Sequence, residues 1–533
     1  MTPDGGPRRR ARLALAAVLG VSLALDAWGL GWGLAGEYSW APDELLPSAV
    51  RAGVEQRFSH GWHEKYGPFH YAVLAAAYEP ALVARRLGLI HADGPALDRI
   101  LALIGRCVSL LMAVGTVWLV ARGGRELGDE WAGILGAGFI ALTAPFVYYA
   151  KTANLEEPYL FWFALSLLFY VRLLDRHRMV HYVLFAASAA AAVATKDQAY
   201  GLYVLTVPAV AAALHAHRRP QGDRRLLATL ADPRLGAAAA VGVGTLLLLD
   251  NVVFNPEGFL AHLALIAGAA SEPFRMFTND LSGHLALMRQ TLRHLRFTMG
   301  LPAFLVCAAG VAAALARPRE HVRWLYLLVP VVSYAATFLH VVLYEYDRFL
   351  LPVCLVLALF GGRLLAQGLR SAPPLRTAAA GVAAAVFSYS LVYAASVDRL
   401  LTHDSRYAVE RWLARNVPPG AMVAAVGPLE YLPRLDGLHA RRVGPSVARL
   451  LQVRPEYVMV NADYAARAEP GTGERELYDG LFAGRLGYRL ALRERTPPGW
   501  SLIDPAALAL EGPDRIFSNL DKVNPEICVF RRQ

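Results

Sequence analysis

Long apolar stretches separated by short polar ones fill the first 400 residues of the chain. A helix needs about 20 mainly apolar residues to cross a membrane, and on that measure about eleven stretches qualify. They lie near residues 11–34, 100–120, 131–149, 159–174, 183–195, 199–214, 235–249, 299–315, 324–343, 349–365 and 378–395. The pattern predicts a mainly α-helical, polytopic membrane bundle. Residues 69–84 are also apolar, but Glu79 and Pro80 interrupt them, so we interpret this stretch as a helix at the membrane interface.

Basic residues set the orientation of this bundle. Arg8, Arg9 and Arg10 precede the first apolar stretch. If residues 69–84 do not cross, five further basic loops fall on the same side, at 121–127, 172–181, 215–225, 316–323 and 366–376. Because short cytoplasmic loops carry an excess of Lys and Arg, the N-terminus is predicted inside and the C-terminus outside.

The pattern changes after residue 396. Residues 403–420 predict a capped helix that ends at Pro-Pro-Gly, and residues 421–427, 455–461, 488–495 and 526–532 predict strands. We therefore predict two domains. Residues 1–396 form a transmembrane domain with outer loops at 35–97 and 251–297, and residues 397–533 form a small extracytoplasmic α/β domain.

The composition agrees with a membrane protein. Of the 533 residues, 56% are apolar and only 18% are charged, against about 25% charged in soluble domains. The net charge of +10 is explained by topology, because the basic residues lie in short loops, so no nucleic-acid partner is predicted. The four cysteines have no spacing that suggests disulfides or zinc.

Two pairs of carboxylates fall on the predicted outer face. Asp43 and Glu44 follow the first span, and Glu156 and Glu157 lie in a very short loop before Pro158. An isolated pair is usually a solvated loop feature. A short loop between spans keeps its carboxylates at the membrane boundary, however, where ionised groups are costly and usually functional. The two pairs together suggest an acidic site that could supply a general base or bind a metal.

Three cations lie on the same face: Lys65, Lys196 and Arg348. Lys and Arg at span ends commonly extend to the interface without a further role. Alternatively, cations beside carboxylates at a membrane surface suit a ligand with a phosphate head and a lipid tail. For His63 we favour an ordinary polar contact over a metal ligand, because none of the histidines has metal-ligand spacing.

Several short motifs occur in a familiar order. The outer Asp-Glu is followed by "EKYGPFHY", "NLEEPYLFW", "ATKD" and "RFLLP". Over roughly the first 370 residues this order resembles the integral-membrane C-type glycosyltransferases, in the branch of the protein O-mannosyltransferases and lipid A aminoarabinose transferases. The resemblance implies a multi-pass protein of the plasma (inner) membrane. It also implies a polyprenyl-phosphate-sugar donor, chemistry on the outer face, and a glycan, lipid or protein acceptor.

The resemblance also assigns roles to residues. It implies that Asp43 is the catalytic carboxylate with Glu44 beside it, and that the second acidic motif is Glu156 and Glu157. Donor binding falls on Glu64, Lys65, Lys196 and Arg348 of these motifs, with Lys65 contacting the carrier phosphate. We also predict donor contacts for the neighbouring His63 and Tyr346. "ATKD" departs from the family's usual Thr-Lys-Gly-Pro, and the metal requirement is not fixed, with a divalent cation as one candidate.

The chemistry of such a reaction fits these residue types. The phosphate leaving group already carries charge, so cations can stabilise it without donating a proton. The acceptor hydroxyl is a poor nucleophile and needs a carboxylate general base. Direct displacement would invert the anomeric centre. The main alternative function is a transporter or flippase of a lipid-linked or small anionic substrate.

The topology can be tested with reporter fusions after Arg10 and at Gln533. We expect the first to report from the cytoplasm and the second from the outside, since the basic loops stay inside. Reporters on the same side would instead mean that residues 69–84 cross the membrane.

Overall fold

The chain is mainly helical and ends in a small sheet. The structure is a computed structural model that describes residues 5–34, 38–219, 225–269, 274–505, 508 and 515–533. The chain divides into two compact units. Unit 1 comprises Met1–Leu30, Pro47–His91 and Leu101–Ala394, and unit 2 comprises Gly31–Leu46, Ala92–Ile100 and Ala395–Gln533.

Helices make up nearly all of the regular structure up to residue 402. They are α1 (Gly5–Ala27), α2 (Pro47–Glu55), α3 (Pro68–Arg86), α4 (Pro95–Glu126), α5 (Glu130–Ala141), α6 (Ala144–Tyr149), α7 (Glu156–Asp175), α8 (Met179–Thr195), α9 (Thr206–Arg218), α10 (Leu226–Leu230), α11 (Pro233–Leu249), α12 (Pro256–Ala264), α13 (Leu281–Met299), α14 (Leu301–Ala316), α15 (Val322–Leu325), α16 (Leu328–Tyr334), α17 (His340–Val342), α18 (Leu351–Leu369) and α19 (Pro373–Thr402). Tight 3-10 turns at Asp197–Leu202 and Asp347–Leu350 follow α8 and precede α18, respectively.

Within the described residues, six helices are long and apolar enough to cross a membrane, or seven if one bent pair counts as a single span. They are Pro95–Glu126, Glu156–Asp175, Asp197–Arg218, Val322–Val342, Asp347–Leu369 and Pro373–Asn416, with Leu281–Met299 and Leu301–Ala316 as the bent pair. The predicted total of eleven spans and their orientation are therefore not confirmed.

Helix breaks explain much of this difference. The predicted span 131–149 is divided into α5 and α6, because Pro145 starts a new helix instead of continuing the first. Residues 183–195 and 235–249 lie in helices of 17 residues each. The predicted span 299–315 begins at a bend of 117° between α13 and α14, where Gly300 has a φ of +73°.

Small residues allow α18 to pack tightly between α5 and α14. A Cβ atom on Gly362 would collide with the Ala132 carbonyl oxygen and the Gly136 backbone of α5. A Cβ atom on Gly310 of α14 would collide with the Phe360 carbonyl. These glycines let the helix backbones touch, which is the usual way in which membrane helices gain packing contacts.

Unit 2 contains a sheet that, in its described residues, has five strands in the order β2-β1-β3-β5-β4. The strands are β1 (Val423–Val426), β2 (Ala440–Val443), β3 (Tyr457–Asn461), β4 (Tyr488–Glu494) and β5 (Ile527–Arg532), and the helices are α20 (Ser405–Asn416), α21 (Val447–Val453), α22 (Ala462–Ala466) and α23 (Gly473–Phe482). β1 pairs in parallel with β2 and β3, and β5 is antiparallel to its neighbours.

The predicted elements of this tail are present. The helix predicted in 403–420 is α20, whose Asp404 side chain accepts a hydrogen bond from the Arg406 backbone N–H. β1, β3, β4 and β5 correspond to the four predicted strands, whereas the short edge strand β2 was not predicted. Unit 2 also includes Gly31–Leu46 and Ala92–Ile100, which the sequence pattern assigned to the membrane domain.

Candidate active site

A buried carboxylate lies between two cations in unit 1. Glu156 is the first residue of α7, Lys196 follows the last residue of α8, and Arg348 lies in the turn before α18. The Lys196 Nζ is 2.6 Å from Glu156 Oε1, and the Arg348 Nε is 3.4 Å from the same oxygen. The Glu156 side chain is only 2% exposed. The sequence motifs of three different helices therefore meet at one ion cluster.

Aromatic rings surround these cations. The Lys196 Nζ is 5.6 Å from the centre of the Tyr159 ring and 5.9 Å from that of Phe349. The Arg348 guanidinium is 5.2 Å from the Tyr346 ring centre and 5.8 Å from that of Phe349. Electron-rich ring faces stabilise desolvated cations. Tyr346, a predicted donor-binding residue, therefore lies at the cluster.

The two glutamates of the second acidic motif have different surroundings. Glu157 is fully buried, and among the described residues neither of its carboxyl oxygens has a hydrogen-bond partner. Its charged neighbours are Asp26 and Glu156, which are both acidic. Glu156, in contrast, is paired with both cations. The two glutamates are therefore not equivalent, which the sequence could not decide.

The loop before α3 carries His63, Glu64 and Lys65. Lys65 is exposed, and its Nζ lies 5.4 Å from the Tyr66 ring centre. His63 is exposed, with its Nδ1 3.0 Å from the Gly61 carbonyl oxygen. The Glu64 backbone carbonyl is 3.3 Å from a ring nitrogen of His262 on α12. This loop is therefore attached to the segment that follows α11.

Asp43 and Glu44 belong to unit 2. Asp43 has a φ of +62°, a left-handed backbone conformation that Asp and Asn adopt more readily than most residues. The Glu44 carboxylate accepts a hydrogen bond from the Ser39 hydroxyl, and the same hydroxyl oxygen accepts one from the Ala41 backbone N–H at 3.1 Å. Both carboxylates are half-buried.

The stretch that precedes Asp43 is anchored within unit 2. The Trp32 Nε1 donates to the Asp404 carboxylate at 3.1 Å. The fully buried Arg406 forms an ion pair with Asp404 at 2.7 Å, and its guanidinium lies 4.2 Å from the centre of the Trp40 ring. The first acidic motif is thus held by the start of α20.

Two polar groups of unit 1 were not predicted as site residues. Glu345 is fully buried, accepts from the Thr291 hydroxyl at 2.9 Å and lies 3.5 Å from His294 Nδ1. His262 bonds Asp197, the neighbour of Lys196. Glu345 and Asp197 stand next to motif residues in the sequence, but their partners are distant in the chain, so spacing alone could not identify the pairs.

Part of the chain matches a protein-family model. Residues 102–231 match the family model of dolichyl-phosphate-mannose-protein mannosyltransferases. Within that region, the match confirms the resemblance drawn from the motifs. No curated protein matches the chain.

The fold is similar to that of a solved oligosaccharyltransferase, and a second structure aligns less well. The oligosaccharyltransferase AglB from Archaeoglobus fulgidus, in complex with an inhibitory peptide and a dolichol-phosphate, aligns with a TM-score of 0.52 at 12% identity, covering 99% of this chain and 89% of that one. ArnT from Cupriavidus metallidurans bound to undecaprenyl phosphate aligns with a TM-score of 0.46 at 17% identity, covering 77% and 73%.

The unequal surroundings of the two glutamates can be tested by replacing each with Gln. Glu156→Gln leaves two buried cations without their shared carboxylate, and breaking a buried ion pair costs about 3 to 5 kcal/mol. Glu157→Gln removes no hydrogen bond seen in the described residues and should cost about 1 kcal/mol or less. Thermal unfolding of both variants in the same detergent checks this difference. Equal losses of stability would contradict it.

Proposed function

We propose that this protein is a membrane glycosyltransferase. It transfers a sugar from a polyprenyl-phosphate-linked donor to an acceptor hydroxyl on a glycan, lipid or protein, at the outer face of the plasma membrane. The reaction is a direct, inverting displacement with a carboxylate as general base. We also propose that residues 1–396 form the membrane domain and that residues 397–533 form an extracytoplasmic domain.

The ion cluster of Glu156, Lys196 and Arg348 carries this proposal. Two cations, Lys196 and Arg348, share one carboxylate in a nearly dehydrated environment. An anion is attracted strongly to such a place, because electrostatic interactions gain strength in a low dielectric. The phosphate of a lipid carrier has the required charge, and Arg and Lys are the usual phosphate-binding side chains.

The position of the cluster also supports a lipid-linked ligand. Its three residues stand at the ends of α7, α8 and α18 rather than in the middle of those helices. Transporters more often place their substrate sites near the middle of the membrane, so helix ends that lie at a membrane face would favour the transferase over the transporter or flippase. The similar fold of AglB, solved with a dolichol-phosphate, and the description of the matching family model agree with this choice.

In the proposed reaction, the first acidic motif supplies the general base and the cations bind the phosphate. Asp43 removes the proton of the acceptor hydroxyl as the oxygen attacks the anomeric carbon, with Glu44 in a supporting role. The bond between that carbon and the phosphate oxygen breaks, and the electron pair stays on the phosphate. Lys65, Lys196 and Arg348 stabilise the phosphate, so that no proton donor is needed.

A divalent cation was one candidate cofactor. Among the described residues, no group of three or more His, Cys, Asp or Glu side chains is arranged to hold a metal ion. Glu156 is already paired with two cations, which makes it a poor ligand for a third. The described side chains therefore form no preformed metal site, and the proposed reaction does not use a metal ion.

The phosphate contacts can be tested by replacing Lys65 or Arg348 with Gln. A hydrogen bond to a charged group contributes about 1.5 to 3 kcal/mol, so each change should weaken donor binding by roughly ten- to more than a hundredfold. Lys65 is exposed, so its replacement should leave the fold intact. Binding of a lipid-linked sugar to protein in nanodiscs is the measurement.

Two cations of unit 2 control for the loss of one positive charge in these variants. Lys522 bonds the Asn519 side chain at 2.9 Å, and Arg475 forms an exposed ion pair with Asp479. Lys522→Gln and Arg475→Gln should bind donor like the unmodified protein. Unchanged donor binding in both the Lys65 and the Arg348 variants would mean that these cations only extend to the membrane interface.

The general base can be tested with Asp43→Asn. Asn keeps the size of the side chain and tolerates the positive φ of this position, so the loop should keep its conformation. Loss of a positioned general base lowers a rate by about 10² to 10⁴-fold. We expect transfer to fall by that factor while donor binding persists.

Glu44→Gln is the companion variant, because an amide oxygen can still accept the hydrogen bond from Ser39. It should reduce transfer less than Asp43→Asn. Both variants are assayed for transfer from a lipid-linked sugar and for donor binding in nanodiscs. Near-normal transfer by Asp43→Asn would assign the base to Glu156 or Glu157 instead.

A further inference from the structure

His262 joins three segments of unit 1 that are far apart in the sequence. It lies on α12 and is buried. Its Nε2 is 3.2 Å from each carboxylate oxygen of Asp197, and its Nδ1 is 3.3 Å from the backbone carbonyl oxygen of Glu64. Glu64 precedes Lys65, and Asp197 follows Lys196. One imidazole ring therefore contacts the neighbours of both lysines that we assign to the carrier phosphate.

The chemistry of these contacts depends on protonation. Both ring nitrogens face oxygen atoms that accept hydrogen bonds and cannot donate them when Asp197 is ionised. A neutral imidazole has one N–H donor, whereas the imidazolium has two. Only the protonated ring satisfies both contacts at once. The neutral ring would place a nitrogen lone pair against one of the oxygens.

The start of α12 is attached to the same loop by a second, uncharged contact. Asn255 donates from Nδ2 to the Trp62 carbonyl oxygen at 2.7 Å and accepts from the Gly61 backbone N–H at 2.9 Å. These bonds do not titrate near neutral pH. They hold α12 near the loop whatever the protonation state of His262.

A small cavity of about 20 Å³ opens beside His262, against the loop before α3 that carries His63, Glu64 and Lys65, which we call the Lys65 loop. Asp250 lines it next to Gly67, whose added Cβ would come within 3.3 Å of the Asp250 Oδ1. Several ionisable groups face His262 or this cavity from the elements packed there: His63, Tyr66, Asp197 and Asp250. Glu64 contacts the ring only through its backbone carbonyl, and the Glu257 carboxylate lies near Gly61.

We propose that His262 is a protonation-dependent positioning residue. In its imidazolium form it holds the Lys65 loop, and Lys196 at the start of the turn Asp197–Leu202, in the position that binds the carrier phosphate. This inference rests on the proposed function, since it assigns regulation to the same phosphate site. His262 does not touch the phosphate in this scheme. It acts through the two segments that carry the lysines.

The surrounding charges set the pH range of this behaviour. Burial opposes the charged ring, but the hydrogen bond and charge of Asp197, the Glu64 carbonyl and the charge of Asp250 together hold the pKa of His262 above its ordinary value. Burial, and then the charge of Asp197, raise the pKa of Asp250 to about 7. Asp250 therefore ionises near pH 7, which favours the imidazolium further.

The sign of the pH effect follows from these shifts. The imidazolium contacts are present below the pKa of His262 and are lost as the pH rises through it. Donor affinity should therefore be highest at mildly acidic to neutral pH and fall on the alkaline side. Removing the Asp250 charge should lower the pKa of His262 and move this fall to lower pH.

The experiment measures binding of a sugar-free polyprenyl phosphate to the full-length protein in nanodiscs between pH 6 and pH 9. For the unmodified protein we expect affinity to fall by about tenfold across this range, the equivalent of one lost hydrogen bond. His262→Gln should bind at pH 6 about as weakly as the unmodified protein does at pH 9, with a flat profile. Asp250→Asn should keep the fall but shift its midpoint to lower pH.

Matched variants separate this role from a structural one. His91 is exposed, and His91→Gln should reproduce the unmodified profile, including the contribution of the ligand's own ionisation. Asp197→Asn should also flatten the profile, and it replaces His262→Gln as the deciding variant if the latter does not fold. A merely structural His262 would lower affinity equally at every pH.

The outcomes are distinct. A His262→Gln profile as steep as that of the unmodified protein would overturn the proposal, and so would an unshifted midpoint in Asp250→Asn. If the unmodified protein does not bind polyprenyl phosphate at any pH, the proposed function itself fails. Binding that is tight but independent of pH in the unmodified protein overturns only the role of His262.

Discussion

A carboxylate buried at the first residue of a helix is the constraint on which the centre of unit 1 depends. Glu156 gains from the partial positive charge at the start of α7, but a buried ion still needs a partner. Lys196 and Arg348 fill that need from two other helix ends. Because a lone buried charge is so costly, the ends of α7, α8 and α18 converge. The aromatic rings around the cations exclude water and so strengthen the same attraction.

The first acidic motif is held by a different kind of contact. Asp43 and Glu44 follow a stretch fixed by Trp32 and Trp40 against the buried Arg406, and Arg406 is itself neutralised by Asp404. Asp404 also caps α20, so one carboxylate both starts a helix and organises the loop that carries the predicted base. The left-handed backbone of Asp43 costs conformational energy, which these anchors outweigh.

Local signals in the sequence predicted the helical class, the helix α20 with its cap, and four strands of the terminal sheet, because periodicity and caps are short-range properties. The number of spans was harder to predict, since Pro145 and Gly300 break apolar stretches that hydropathy alone treats as continuous. Motif order singled out Glu156, Lys196 and Arg348, which the structure brings together, but only packing distinguishes Glu156 from Glu157. His262 contacts Asp197 and Glu64, which precede it in the chain by 65 and 198 positions. No local pattern encodes contacts over such distances.

The glycine contacts of α18 have a mechanical consequence. The backbone of α18 touches that of α5 at Gly362 and that of α14 at Gly310, so sliding or rotating the helix would drive backbone atoms into each other. The position of Arg348, in the turn that precedes α18, is therefore fixed by this packing. α12 and the Lys65 loop, in contrast, are joined by a few side-chain hydrogen bonds beside a small cavity. A long hydrophobic ligand that displaced α12 would therefore leave the packed wall of α18, and with it Arg348, in place.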